Sequence, residues 1–262
     1  MKFLVKLGGT LLDAPESRDR LAREIHALAK QGHAVTVVHG GGKQMTRYLA
    51  ERKVESRFVN GLRVTTPEVL DAILKVFAGT VNHELVGSFI RAGAKAVGLS
   101  GIDACLVEAV LMDPALGAVG KPVRANTGIL DVLTSAGYMP VVACVAGDAE
   151  GRVYNVNADQ MAVACASGWH VSTLLFLTDV DGVRGAEGSI LPSLTPAQAA
   201  GLIQAGVATG GMQAKLNAAS SALNNGVEQV LIVPGALPEV IQRICAGEPI
   251  GTRMTQAEKT SA

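Results

Sequence analysis

The chain lacks several things that other protein classes depend on. It has no net charge: 23 lysines and arginines stand against 23 aspartates and glutamates in 262 residues. Such a balance supplies no basic footprint for a phosphate backbone or an anionic lipid surface, so neither nucleic acid nor a membrane is an expected partner. Its four cysteines, Cys105, Cys144, Cys165 and Cys245, lie far apart with no CxxC pair. That spacing suits neither a zinc knuckle nor a disulfide-stapled secreted domain, and they read as small buried hydrophobes. The opening MKFLVKLGG is too short for a signal-peptide core, and no later run approaches the roughly 18 apolar residues of a membrane span. The expectation is a soluble, cytoplasmic protein. Familiar fingerprints are missing as well. GxGxxG fails at Met45, the P-loop pattern fails at Val37 and Gln44, no GxSxG elbow exists, and His83-Glu84 lacks the second histidine of HExxH. Dinucleotide, P-loop, serine-hydrolase and zincin readings fall with them.

What is present points to α/β. Hydrophobic residues make up 48% with only 3% aromatic, and there are 30 glycines, which describes an aliphatic interior broken by many tight turns. The length allows between one and two domains. Phe3–Leu7 and Ala34–Val38 are short apolar runs that end in Gly8-Gly9 and His39-Gly40-Gly41-Gly42, as buried strands delivered into glycine loops do. Between them a helix opens at Pro15 and stops at Gly32. Strand, helix, strand is the start of a parallel sheet. Further helices are expected at Thr66–Phe77, Asn82–Ile90, Thr127–Ala136, Ala158–Ser167 behind an Asn157 cap, from Pro196, over Gly211–Asn225, and in a short terminal segment. Strands are expected at Ala94–Leu99, Met139–Val145, Val171–Leu177 and Gln229–Val233, with a hairpin region over Leu106–Val123. Met254–Ala262 reads as a loose polar tail.

Charges that sit against local expectation mark the candidate site. Lys6 interrupts an apolar strand at its carboxyl end, where burying an ammonium is costly without an anion. Lys215 lies in the first turns of a helix, where the dipole disfavours a cation. Each alone also fits a snorkelling lysine, and each glycine pair also fits an ordinary turn. Together with glycine loops whose N–H groups form anion nests, the two lysines suggest convergence on a phosphate or carboxylate. Asp159, in the first turn of its helix, could hold both. Phosphoryl transfer needs such a set, because the transferred group spreads negative charge over its equatorial oxygens. Arg63 supplies a fork suited to a substrate carboxylate.

In order, Lys6-Leu7-Gly8-Gly9, His39-Gly40-Gly41-Gly42, Asn60-Gly61-Leu62-Arg63-Val64-Thr65, Gly98-Leu99-Ser100-Gly101, Asn155-Val156-Asn157-Ala158-Asp159, Thr178-Asp179-Val180-Asp181-Gly182 and Gly210-Gly211-Met212-Gln213-Ala214-Lys215 resemble the acetylglutamate kinases of the amino acid kinase superfamily over almost the whole chain. The resemblance implies a three-layer αβα sandwich with a mainly parallel central sheet. Residues 1–168 would form an acyl-amino-acid lobe that also dimerises, and 169–262 a nucleotide lobe. It implies ATP-dependent phosphorylation of the side-chain carboxylate of N-acetyl-L-glutamate, the second step of arginine biosynthesis. Lys6 and Lys215 would stabilise the transferring phosphoryl group and Asp159 would orient them. Gly8, Gly9, Gly41 and Gly42 would present N–H groups to phosphate and the reacting carboxylate, and Arg63 and Asn155 would hold the α-carboxylate and acylamino end. Asp179, Val180, Asp181, Gly182 and Val183, with Val207, Ala208, Thr209, Gly211 and Met212, would frame the nucleotide. Mg²⁺ would be bound chiefly by ATP phosphates, with no metal site in the protein.

Relatives usually carry Gly where this chain has Ala104, and many carry Glu at Lys121. Arginine-inhibited relatives have an extra N-terminal helix, whereas this chain enters its first strand by residue 3. The expectation is a homodimer, paired through the Pro67–Phe77 helix, that arginine does not inhibit. Competing readings are a kinase for N-succinylglutamate or for a carrier-linked aminoadipate or glutamate, and a non-catalytic sensor of nucleotide or amino acid.

Overall fold

The structure, a computed structural model, describes residues 1–257. It opens with β1 (Lys2–Leu7), α1 (Pro15–Lys30), β2 (Ala34–His39) and α2 (Gly42–Glu51). A small hairpin, β3 (Phe58–Val59) and β4 (Leu62–Arg63), precedes α3 (Pro67–Ile73), a π-helical stretch (Leu74–Val81) and α4 (Asn82–Arg91). Next come β5 (Lys95–Ser100), β6 (Val107–Leu111), β7 (Gly120–Ala125), α5 (Gly128–Ser135), β8 (Tyr138–Ala143), β9 (Val145–Gly147), β10 (Val153–Asn155) and α6 (Ala158–Gly168). The last third holds β11 (Thr173–Thr178), β12 (Ser193–Leu194), α7 (Pro196–Gln204), α8 (Gly210–Asn224), β13 (Gln229–Pro234), α9 (Val240–Cys245) and β14 (Thr252–Thr255).

Eight strands form the central sheet in the order β12-β14-β13-β11-β1-β2-β8-β5, with β13–β14 its one antiparallel pair among the described residues. Chain direction sets the layers. From β1 to β2 and from β2 to β5 the chain moves toward one edge, whereas β5 to β8, β8 to β11 and β11 to β13 move toward the other. Right-handed crossovers in opposite directions place their helices on opposite faces. α1 accordingly packs with α4, and α6 with α8. The result is the expected αβα sandwich. Parallel strands covered on both faces explain why β1, β2 and β11 read as nearly unbroken apolar runs, with Leu4, Val5, Val37, Val38, Leu174 and Phe176 fully buried.

Local capping agrees with the sequence at several starts. Thr66 accepts from the Val69 N–H ahead of Pro67, Asn157 Oδ1 accepts from the Asp159 and Gln160 N–H groups, and Thr195 and Gln198 form a capping box. Three expectations need correction. The Thr66–Phe77 and Asn82–Ile90 helices are not separate: the π-helical stretch joins them. The helical cost of Gly79, about 1 kcal/mol, is outweighed by burial of Val76, Phe77 and Val81. Met254 is not in a loose tail but fully buried in β14, beside Val230 of β13; residues 258–262 of that segment lie outside the described residues. Of the cysteines, Cys144 and Cys165 are buried, but Cys105 and Cys245 are exposed, the first beside a tight turn and the second at the last position of α9. Among the described residues no helix is long and apolar enough to cross a membrane.

Candidate active site

β1 lies where the crossovers diverge, and in open α/β sheets the crevice beyond the carboxyl ends of strands at such a point is the place for a ligand. Gly8-Gly9 follow β1, Gly40–Gly42 follow β2, Cys144 follows β8 and Asp179 follows β11. Of these, Gly9, Gly40–Gly42 and Cys144 border a cleft of about 380 Å³ whose lining also includes Arg63, Phe77 and Asn155.

Next in the chain to Ala158 of that lining, Asp159 brings the two lysines together. Side chains alternate along β1, and Lys6 points to the face covered by α6, where its Nζ lies 2.7 Å from Asp159 Oδ1. Lys215, on the second turn of α8, donates to Asp159 Oδ2 at 3.4 Å. Lys6 and Asp159 are each only 7% exposed. Burial by itself raises the Asp159 pKa, but the two ammonium charges and their hydrogen bonds together outweigh it and hold the carboxyl below its ordinary value. Two cations against one anion leave a surplus positive charge in a poorly hydrated place. Such a surplus is costly alone and favourable toward an incoming anion.

Glycine is required around this group. A methyl on Gly8 would sit 2.5 Å from Lys6 Nζ. Gly9 adopts φ +61° and leaves room for the Asp179 carboxylate, 3.3 Å from where its Cβ would be. A methyl on Gly41 would be 2.9 Å from the Phe77 ring. The first N–H groups of α2, beginning at Gly42, and of α8, beginning at Gly210, have no side-chain cap, so both helix ends present free donors to an anion.

Arg63 occupies the other end of the cleft. Asn60 and Gly61, at φ 49° and 78°, make the two-residue turn that joins β3 to β4, the hairpin use of an Asn-Gly pair. The guanidinium is buried, stacks 4.5 Å from the centroid of Phe58, and donates to Ser56 Oγ, to Thr46 Oγ1 at 2.9 Å and to the Gly42 carbonyl at 3.2 Å. Burial lowers its pKa. Among the described residues it has no carboxylate partner, so this oriented cation also awaits an anion. Asn155 donates to Thr65 Oγ1 at 3.0 Å, and that hydroxyl donates to the Arg63 carbonyl at 2.9 Å.

The expected nucleotide residues divide in two. Asp179, Val180 and Asp181 at the end of β11, and Val207, Thr209 and Gly211 at the start of α8, are exposed, with Met212 half-buried. Gly182, Val183 and Ala208 are buried, and the Val183 N–H is already donated to Thr252 Oγ1 at 2.8 Å. Lys121 lies away from the acyl cleft and borders a separate groove against α6 and α8. The sequence reading missed Thr46, Ser56 and Phe58, which hold Arg63, and Cys144, whose thiol is pushed up by burial. Only Thr46, one turn after Gly42, carried a local signal.

The matching family model, described as the amino acid kinase family, covers residues 1–234. The chain belongs to the amino acid kinase family. Within it, similarity runs to acetylglutamate kinases: 65% identity to that of Solibacter usitatus over 98% of this chain and 100% of the relative. That of Acidobacterium capsulatum is 44% identical over 94% and 95% respectively. Among solved structures, smu.665 from Streptococcus mutans UA159 superposes with a TM-score of 0.84 at 26% identity, covering 98% of this chain and 99% of the other.

Proposed function

We propose that this protein transfers the γ-phosphoryl group of ATP to the side-chain carboxylate of N-acetyl-L-glutamate, giving N-acetyl-L-glutamyl 5-phosphate, the second step of arginine biosynthesis. The observation that carries the reading is the pairing of Lys6 and Lys215 on one buried Asp159, next in the chain to Ala158 of a cleft that also holds Arg63, a cation without a carboxylate partner among the described residues. The relatives' shared name agrees with it.

The nucleophile needs no general base. A side-chain carboxylate with a pKa near 4.3 is ionised at pH 7, and Asp159, held ionised between two cations, is an anchor and not a proton acceptor. An oxygen of the substrate carboxylate attacks the γ-phosphorus in line, the bond to the β–γ bridging oxygen breaks, and ADP leaves with that electron pair. Charge that builds on the three equatorial oxygens meets Lys6, Lys215 and the N–H groups of the Gly8-Gly9 and Gly41-Gly42 loops. Arg63 and Asn155 hold the α-carboxylate and acylamino end, so the reacting carboxylate points to the lysines.

Residues 1–168 act as the acyl-amino-acid lobe and 169–262 as the nucleotide lobe. In support, the cleft lining runs only from Gly9 to Ala158, while Asp179, Val180 and Asp181 after β11 and Val207, Thr209 and Gly211 at the start of α8 are exposed outside it. Mg²⁺ enters with ATP, held by its phosphates. The protein works in the cytoplasm as a homodimer through the Pro67–Phe77 helical segment, α3 and the start of the π-helical stretch, where exposed Leu74 adjoins half-buried Leu70, and a groove runs from Leu70 to exposed Val110 and Leu111. Light scattering tests the dimer.

The test of the reaction is ATP turnover with hydroxylamine trapping, run on N-acetyl-L-glutamate, N-succinyl-L-glutamate, glutamate and aspartate. Hydroxamate from the acetylated substrate alone supports the assignment. Signal from succinylglutamate alone keeps the chemistry and moves the substrate, and silence on all four overturns the reading.

A further inference from the structure

Two residues of the sequence motifs, His39 and Gly98, take no part in the chemistry above, yet the fold joins them. His39 is the last residue of β2, fully buried between Leu7 of β1 and Ala143 of β8. Its Nδ1 lies 2.7 Å from the Gly40 carbonyl oxygen, and its Nε2 lies 2.9 Å from Asn82 Nδ2. The same Asn82 nitrogen is 2.9 Å from the Val141 carbonyl and 3.4 Å from that of Leu99. Carbonyl oxygens only accept, so this atom is the amide NH₂, and it donates to His39 Nε2 as well. That nitrogen must be bare. The proton therefore sits on Nδ1, which donates to Gly40. Burial pushes the His39 pKa down to about 4, so the imidazole is neutral at pH 7 and the tautomer is single.

Gly98 makes this possible from the far side. A Cβ there would collide with Asn82 Oδ1 and lie 3.3 Å from Val86 Cγ2. Asn82 itself is the first residue of α4, directly after the π-helical stretch that presses Phe77 and Val81 against Gly41. The consequence falls on the glycine loop. In a planar trans peptide the N–H is antiparallel to the C=O, so tethering the Gly40 carbonyl to the imidazole turns the Gly41 N–H the opposite way, where Gly40, Gly41 and Gly42 line the cleft.

We propose that His39 is a positioning residue: registered by Asn82 over Gly98, it holds the Gly40 carbonyl and thereby aims the Gly41-Gly42 N–H groups at the reacting carboxylate and phosphoryl oxygens. The inference rests on the carboxylate-kinase reading above. It also explains why the three glycines, which have the conformational freedom to waste, follow a histidine.

The test separates aim from stability. His39→Asn places an amide donor where Nδ1 stands; His39→Gln keeps a partner for Asn82 but leaves the Gly40 carbonyl untethered. Expected is a kcat for H39N within about threefold of the parent, and for H39Q a kcat lower by about 10- to 100-fold with KM for ATP within about twofold. G98A should follow H39Q. Equal activity of H39Q and the parent, or equal losses in H39N and H39Q, overturns the proposal. Independently of any variant's folding, ¹⁵N spectra of the histidine-labelled parent should show a ring with protonated Nδ1 and bare Nε2 at pH 7. The opposite tautomer, or an imidazolium, overturns it. A parent that yields no hydroxamate from N-acetyl-L-glutamate overturns the kinase reading and the proposal together, whereas turnover with an indifferent H39Q overturns the proposal alone.

Discussion

Replacing Asp159 by asparagine tests the centre of the site, because it removes one charge and almost no volume. At an effective dielectric of about 20, unit charges 2.7 Å apart attract by roughly 6 kcal/mol and charges 3.4 Å apart by roughly 5 kcal/mol, the separations of Asp159 from Lys6 and Lys215. Desolvation of three ions, several kcal/mol each, offsets most of this. The variant keeps the desolvation of both ammonium groups and loses their anion. Breaking a buried pair in this way costs about 3–5 kcal/mol, or a melting temperature lower by roughly 10 °C in a chain of this size. The catalytic effect has a different signature. Local charge rises from a surplus of one to two, so nucleotide binding should not weaken, while the lysines lose the geometry that serves the transition state and kcat falls by about 10²- to 10³-fold. Calorimetry and steady-state kinetics on D159N read the two effects separately. A kcat within about tenfold of the parent, at a temperature where the variant is folded, would refute the reasoning and leave Asp159 a structural ion only.

Arg63→Lys retains charge but loses the fork and the stacking on Phe58, so KM for the acyl amino acid should rise by about tenfold or more while KM for ATP stays put; equal shifts in both would remove Arg63 from the acyl end. Buried His39 has a folded pKa of about 4 against 6.5 unfolded, so below pH 6.5 the unfolded chain binds the extra proton. Stability should then fall by about 3 kcal/mol as pH drops from 6.5 to 4. Urea melts across that window should show a steeper pH dependence for the parent than for H39N, and parallel slopes would exclude this contribution. The Asp159 carboxyl adds a second loss at lower pH: its folded pKa is depressed, so its contribution is complete above the unfolded value and lost as pH falls through the folded one. Ala104 adopts φ 51°, where a Cβ is strained, so Ala104→Gly should raise stability by about 0.5–1 kcal/mol after the entropic penalty of glycine, read as a higher thermal midpoint; a lower midpoint would refute the strain.

Ala104 shows what kind of information sequence carries. The expectation of glycine there came from resemblance, and the backbone does take the left-handed conformation at that position. The Pro67 start, the Asn157 cap and the glycine loops after β1 and β2 were legible for the same reason: each is a rule acting over three or four residues. Lys6 was legible as an anomaly, a cation where the strand demanded an apolar side chain. The π-helical join, β12 and β14 were not legible. Their segments are stabilised by what they pack on, as Met254 is by β13, and nothing within a few residues reports it.

By itself, then, the sequence determined the alternation of strands and helices, the places where the backbone must bend at glycine, and which side chains were out of keeping with their surroundings. Only the tertiary structure decided what those side chains meet. Lys6 and Lys215 reach one Asp159 because crossovers of the same direction set α6 and α8 together on one face of the sheet, the face to which Lys6 of β1 points. Arg63 is a directed cation because Thr46, Ser56 and Phe58, from other elements, hold it. The His39 proton has its place because the Asn82 amide nitrogen, delivered by a helix 43 residues on, can only donate. Local propensity acts along the chain, whereas convergence of charge is a property of the packed sheet and its handed connections.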